Sequence, residues 1–295
     1  MYMVIEIIGI IIILLLFLGS FYYIAYGAEG FTGQYKLYNV SLCCIIKNER
    51  YLEEFIIYHK VIGVEHFYIY DNESSPPIKE RLNQDFFKEC CTIIEFPGKV
   101  QQLNAYNNCL NTYGKDTNWL IIVDGDEYLL PKKHNNIQDF LKEYDNDGTQ
   151  AIGINWIMFG SSFYDKIQDG FLVDKYRYCN RSQDQHIKTI CKPEFTIEFP
   201  NNPHSVSVQD PSKYIDSKRN VITGPFNKNE SVDIIQINHY HGKSIEEQKA
   251  KQQLGTPDKI SKDYVPTYHT ENNDIKDDLL PNKYLDEIVR IYNNL

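Results

Sequence analysis

Between residues 39 and 124 the chain repeats one pattern: a short apolar run, a helical stretch, then another apolar run. The runs are NVSLCCII (39–46), VEHFYIYD (64–71), CTIIEF (91–96) and WLIIVD (119–124), rich in β-branched and aromatic residues as strands are. The first intervening stretch, NERYLEEFIIYHKVIG, sets Leu52, Phe55, Ile56 and His59 on one helical face and stops at Gly63. The second, PPIKERLNQDFFKE, reads as one helix beginning near Pro77, and the third, KVQQLNAYNNCLNTYG, as a helix ended by Gly114. Strand–helix–strand alternation with short links admits few arrangements, and the expected one is a mostly parallel sheet covered by helices. Ligands gather beyond the carboxyl ends of such strands. Lys47, Asn48 and Glu49 follow the first strand, Asp71 and Asn72 end or follow the second, and Asp124 and Asp126 end or follow the fourth.

The rest of the chain is less regular. QAIGINWIMFG (150–160), HIKTICKP and SVDIIQINHYHG read as strands. SIEEQKAKQQLG reads as a helix, with Ser244 and Glu247 forming a capping box and Gly255 as its stop. A polar stretch follows from Thr256 to Pro281, and KYLDEIVRIY predicts a short closing helix. At the other end, residues 7–26 carry no charge and are long enough to span a bilayer, with Tyr22, Tyr23 and Tyr26 suited to the interface. Ala25 and Gly27 would also suit a signal peptidase, but MYMVIE lacks the basic start of a signal peptide, so an uncleaved anchor is expected. The expected organisation is an anchor over 1–27, a linker over 28–38, a catalytic domain over 39–255 and a tail with a short helix over 256–295.

Two class exclusions follow from composition. A net charge of −10 argues against a general nucleic-acid binder. The seven cysteines include no CxxC pair and no zinc spacing, so Cys43, Cys44 and Cys91 read as small buried hydrophobes. Sequons at Asn39, Asn72, Asn180 and Asn229 do not by themselves fix a lumenal location.

The stretch WLIIVDGDEYLLP crowds Asp124, Asp126 and Glu127 behind an apolar run. Adjacent carboxylates repel and are costly to bury, so a positive partner is expected. An Asp-x-Asp at a strand end suits Mn2+ or Mg2+, hard cations that also take phosphate oxygens; the bland alternative is a solvated acidic turn. On this reading Asp126→Asn relieves repulsion and leaves the metal-free protein as stable or more so.

IIKNERYLEEFIIYHKVIGVEHFYIYDNESS, QLNAYNNCL, WLIIVDGDEYLLP, WIMFGSS, IKTICKP with a following His204, and INHYHGKSIEEQKAK occur in one order over roughly residues 40 to 254. Together they resemble glycosyltransferase family 92 and related family-2-like enzymes with the GT-A (nucleotide-diphospho-sugar transferase) fold. The resemblance implies a single Rossmann-like mixed sheet flanked by helices. It implies inverting transfer of a sugar, typically galactose, from a UDP-sugar to a glycan hydroxyl, with Mn2+ (or Mg2+) held by Asp124-Gly125-Asp126. By the same analogy Lys47, Asn48, Glu49 and Asp71 face the nucleoside, although an Asx-turn serves as well for Asp71. Asp124 faces ribose or a metal-bound water, and Asp126 faces the metal. His239 is the first choice for a third ligand and His204 the second. Lys243, near a helix start, would neutralise diphosphate. Trp156, Phe159 and Gly160 would form an acceptor-side wall, with core packing the rival reading for Trp156. Asp165, Asp184 and Glu194 are unranked candidates for the general base. The implied location is a membrane, single-pass, with the catalytic domain in a Golgi-like lumen or on a membrane surface. Two rivals remain: a phosphodiesterase, which needs more clustered ligands, and an inactive carbohydrate-binding or scaffold protein on the same fold.

Overall fold

The computed structural model describes residues 36–254 and 271–295. The expected anchor over 7–26 and the stop at Gly255 lie outside the described residues. Among the described residues no helix is long and apolar enough to cross a membrane.

The strands are β1 (Tyr38–Ile46), β2 (His66–Asp71), β3 (Cys91–Glu95), β4 (Thr117–Ile122), β5 (Glu127–Pro131), β6 (Ala151–Met158), β7 (Tyr178–Cys179), β8 (Ile187–Cys191), β9 (Thr196–Glu198), β10 (Ser207–Val208), β11 (Tyr214–Asp216), β12 (Ile235–His239) and β13 (Ile275–Lys276). The main sheet runs β3-β2-β1-β4-β8-β6-β12-β5, with β11 also on β6. The first four in that order are parallel, as the alternation predicts. β8 is antiparallel to both β4 and β6, and β5 is antiparallel to β12, so the sheet is mixed. β4 and β5 are joined by four residues, 123–126, yet three strands separate them in the sheet. Four inter-strand steps of about 4.8 Å come to about 19 Å, more than even a fully extended link could span. The link instead contains a turn, with the Glu127 amide donating to the Asp124 carbonyl at 3.1 Å, so the sheet must curl. The curl brings the C-terminal ends of β1, β4, β6 and β12 to one edge with the N-terminal ends of β5 and β8.

Three elements depart from the sequence reading. EYLLP, to which the sequence assigns no element, is a strand paired with β12 far downstream in the chain. The helix expected from Pro77 is two short pieces, Ile78–Arg81 and Asp85–Cys90, broken at Leu82. The closing helix runs from Leu279 to Tyr292 and buries Leu280, Tyr284 and Ile288 in the same core as β1 and the first helix, so this part of the 256–295 segment is no loose tail. That packing also explains the first helix, Leu52–Val61, where Leu52 and every residue from Glu54 to His59 are buried. It has the sheet on one side and the closing helix on the other, with the Tyr58 and Tyr284 rings 5.7 Å apart. Ser244 and Glu247 form the expected capping box, the Glu247 amide donating to Ser244 Oγ at 3.3 Å and Ser244 Oγ donating to Glu247 Oε2 at 2.6 Å.

Glu54 is buried on the first helix and accepts the amides of Leu172 at 2.7 Å and Val173 at 3.0 Å. Burial pushes its pKa up to about 8, against the smaller pull of those amides. A raised folded-state pKa means stability is full below the unfolded value and is lost as pH climbs toward 8, at about 1.4 kcal/mol per unit. Glu54→Gln removes this titration. Thermal unfolding followed by circular dichroism should show the variant gaining on the wild type as pH rises from 5 to 8; a constant difference would refute the assignment.

Candidate active site

The turn after β4 is built around Gly125. A Cβ there would lie 2.5 Å from Ile46 Cδ1 at the end of β1, so a larger residue would push the Ile46 side chain aside. The turn's other side is tied to β12 by the Tyr240 amide, which donates to the Asp126 carbonyl at 2.8 Å. Asp124 is anchored by the helix Gln102–Tyr113: Gln102 Nε2 donates to Oδ1 at 2.7 Å and Tyr106 OH at 2.8 Å. Lys188 Nζ, near the start of β8, lies 2.9 Å from the same oxygen. Oδ2 takes none of these bonds, and the side chain is 30% exposed.

Lys188 is wholly buried between Asp124 and Glu127, 3.6 Å from Glu127 Oε2. Its short contact to Asp124 is an ion pair without hydrogen-bond alignment. Burial opposes its charge, but Asp124 and Glu127 hold its pKa above the ordinary value. Burial works against Asp124 too, yet Lys188 brings that carboxyl below the usual range. Glu127 is pushed well up by burial; its Oε1 has no partner, while Oε2 accepts the Asp124 amide at 2.9 Å. Burial thus favours the neutral form of Glu127, while Lys188 favours the charged form of Asp124.

Asp126 faces the other way. Its Oδ2 accepts Lys251 Nζ at 2.7 Å, from the helix Ile245–Leu254, and its Oδ1 lies 3.6 Å from His239 Nε2 at the end of β12. Burial opposes its charge, but Lys251 and His239 hold the carboxyl well below the ordinary range. The relief of repulsion expected for Asp126→Asn therefore does not follow, because Asp126 already has a counter-ion. Among the described residues no three His, Cys, Asp or Glu side chains converge as a metal-ligand set. Asp126 and His239 nevertheless fit two positions on one ion. Twice a metal–ligand distance of about 2.1 Å exceeds their separation, and hard cations commonly complete their shell with phosphate and water.

The nucleoside-side candidates are held in protein contacts. Asp71 accepts the Ser74 amide on Oδ1 and the Ile78 amide on Oδ2, each at 2.9 Å, which orders the loop after β2. Asn48 Oδ1 accepts the Ser75 amide at 2.7 Å, and Lys47 pairs loosely with Glu73 at 3.7 Å. Glu49 holds Lys243 Nζ through both oxygens, at 2.9 and 3.0 Å, so Lys243 sits beside the Asp126 turn with a partner of its own. His204 turns Nδ1 to the Ile187 carbonyl at 3.1 Å and packs edge-on to Trp156, with no bond to Asp126. Trp156 is only 8% exposed, and Phe159 is buried against Tyr240. Of the base candidates, Glu194 follows the C-terminal end of β8 at the opposite edge of the sheet, and Asp165 lies beside the helix that starts at Ile245. Asp184 stays near the site, bonded to His186.

The family profile of glycosyltransferase family 92 matches residues 39–274. The chain belongs to glycosyltransferase family 92. It is 27% identical over 61% of its length to a family 92 protein of Oryza sativa subsp. japonica, covering 31% of that protein. It is 25% identical over 72% of its length to one of Ricinus communis, covering 36%. The chain thus spans about a third of these curated relatives. Among solved structures, a cytidylyltransferase of Leptospira borgpetersenii is 11% identical, with a TM-score of 0.28 over 41% of this chain and 54% of that one, a slight likeness.

This family 92 chain holds site residues that its sequence did not single out. Lys188, Gln102, Tyr106, Lys251 and His186 all approach the carboxylate turn or its walls. Only Lys188 left a signal, as a lysine inside the apolar strand IKTIC. Lys188→Met leaves the part-buried Asp124 charge without its counter-ion; removing one partner of a buried pair costs about 3–5 kcal/mol, and the loss here should be smaller because Asp124 is part-exposed. Urea unfolding should show that loss, and Asp124→Asn in the same chain should recover most of it; no recovery would mean Lys188 acts by packing alone.

Proposed function

We propose that this chain is a metal-dependent, inverting glycosyltransferase that moves a sugar, with galactose favoured, from a UDP-sugar to a glycan hydroxyl. The observation that carries the reading is the pairing of Asp126 with His239 Nε2 at the ligand-binding edge, 3.6 Å apart, next to an Asp124 that keeps one oxygen unbonded. Family membership supports the transfer chemistry. In this reading Asp126 and His239 hold Mn2+, which offsets the charge that the diphosphate leaving group develops. Gln102, Tyr106 and Lys188 fix the Asp124 carboxylate so that its second oxygen faces ribose or a water. Lys251 sits where it can meet diphosphate oxygens, and the GT-A arrangement accounts for the curl.

His239→Ala should raise the Mn2+ concentration needed for UDP binding and for transfer by roughly 10-fold or more, with partial recovery in excess Mn2+. His204→Ala should not. Calorimetric titration of UDP at graded Mn2+ distinguishes them, and metal rescue of His204→Ala alone would move the ligand to His204.

The apolar run 7–26 would anchor this domain in a membrane of Golgi-like topology or at a membrane surface. Full-length protein should then stay with membranes through carbonate extraction; a mature N-terminus near Ala28 would instead identify a cleaved leader.

A further inference from the structure

A stack of aromatic rings lines one wall beside the carboxylate turn. Trp156 meets His239 edge-on at 4.3 Å and stacks on its other neighbour, His186, at 5.0 Å with planes 20° apart. A path of contacts therefore runs from Asp126 through His239 and the indole to His186, which is 39% exposed at its side chain. His186 is fixed from below by Asp184. Asp184 Oδ1 accepts the His186 amide at 2.8 Å and lies 2.7 Å from His186 Nδ1. Asp184 is itself held: its amide donates to the Trp156 carbonyl at 2.8 Å, and its carbonyl accepts Asn155 Nδ2 at 3.0 Å. An ionised carboxylate only accepts, so this contact puts the proton on Nδ1 and leaves the lone pair on Nε2. Among the described residues no protein group bonds Nε2. The remaining neighbours of the ring are His204 at 5.2 Å and the half-exposed Phe226 at 4.7 Å.

We propose that His186 is the general base of transfer and that Asp184 is its positioning residue, an assignment that rests on the donor reading above. Asp184 commits Oδ1 to both His186 contacts, which ties this carboxylate to the imidazole. Glu194 lies at the wrong edge. The imidazole lies one indole away from His239 and Asp126, on the side of Trp156 opposite the proposed diphosphate position. Imidazole is also the side chain best suited to taking up a proton near neutrality. In the step, the acceptor oxygen forms its bond to the sugar C1 while its proton passes to His186 Nε2. The bond from C1 to the diphosphate oxygen breaks, and UDP leaves with the electron pair. Asp184 stabilises the imidazolium until the proton is lost to solvent. Phe226, exposed beside the base, offers the apolar ring face on which an acceptor sugar can stack.

The test uses full-length protein, Mn2+ and UDP-galactose with water as acceptor, reading UDP release and, by calorimetry, UDP affinity. His186→Ala should slow UDP release by about 100-fold or more with UDP affinity within about 2-fold of wild type. Imidazole added to the solution should restore part of the rate, which a packing role would not produce. Asp184→Asn, nearly isosteric and a safeguard should His186→Ala misfold, should also slow release but gain nothing from imidazole. Unchanged release in a folded His186→Ala, whatever Asp184→Asn does, or a loss in His186→Ala that imidazole does not relieve, overturns the assignment. A wild-type protein that binds no UDP, or releases none from UDP-galactose, overturns the donor reading and this assignment with it.

Discussion

The site hangs on one buried ammonium. Lys188 reaches from β8 beneath the turn that follows β4 and meets Asp124 and Glu127 in a place no water reaches. Without a cation there, two acids three residues apart could not both be packed under a sheet edge. The cation does not simply cancel them. Burial drives Glu127 toward its neutral form, while Asp124, with two further donors on the same oxygen, keeps its charge. The exposed oxygen of Asp124 is thus charged and immobile, which suits a group that must recognise a ligand without rearranging.

That interaction needs the curl of the sheet to exist. β4 and β8 are neighbours, but Glu127 starts β5, which lies across the sheet next to β12. Four linking residues draw those ends together and carry Asp124 and Asp126 to the seam. Asp124 faces β8 and the helix that contains Tyr106; Asp126 faces β12 and Lys251. The two acids that look equivalent in the sequence therefore end in different surroundings, one anchored by neutral donors and a buried lysine, the other by a half-exposed lysine and an imidazole.

The parallel half of the sheet was legible because each strand is an apolar run closed by a turn signal, and the Asp-x-Asp was legible because it stands at the end of one of them. β5 was hidden: EYLLP begins on the last of three acids, and its pairing with β12 spans more than a hundred residues. Lys188 was hidden by its type, since a lysine in a short strand is normally on the solvent face. Lys251 looked like the polar side of an amphipathic helix. Lys243 was read as free for diphosphate, whereas Glu49, itself read as a nucleoside contact, holds it with both oxygens. Such pairings join residues nearly two hundred positions apart, and no local pattern encodes them.

The closing helix has a consequence for how this chain comes into being. Its Leu280, Tyr284 and Ile288 cover one side of a helix made from residues 52–61, so an early helix among the described residues is completed by one more than two hundred residues downstream. Until residues 279–292 have been made, that early helix presents Tyr58 and its apolar neighbours uncovered. Such exposure invites association with other nascent chains or with chaperones. Closure between distant ends also slows folding, because a long loop must be ordered before the contact is made. A ribosome stalled before residue 279 would leave the carboxylate turn translated but its supporting core open on one side.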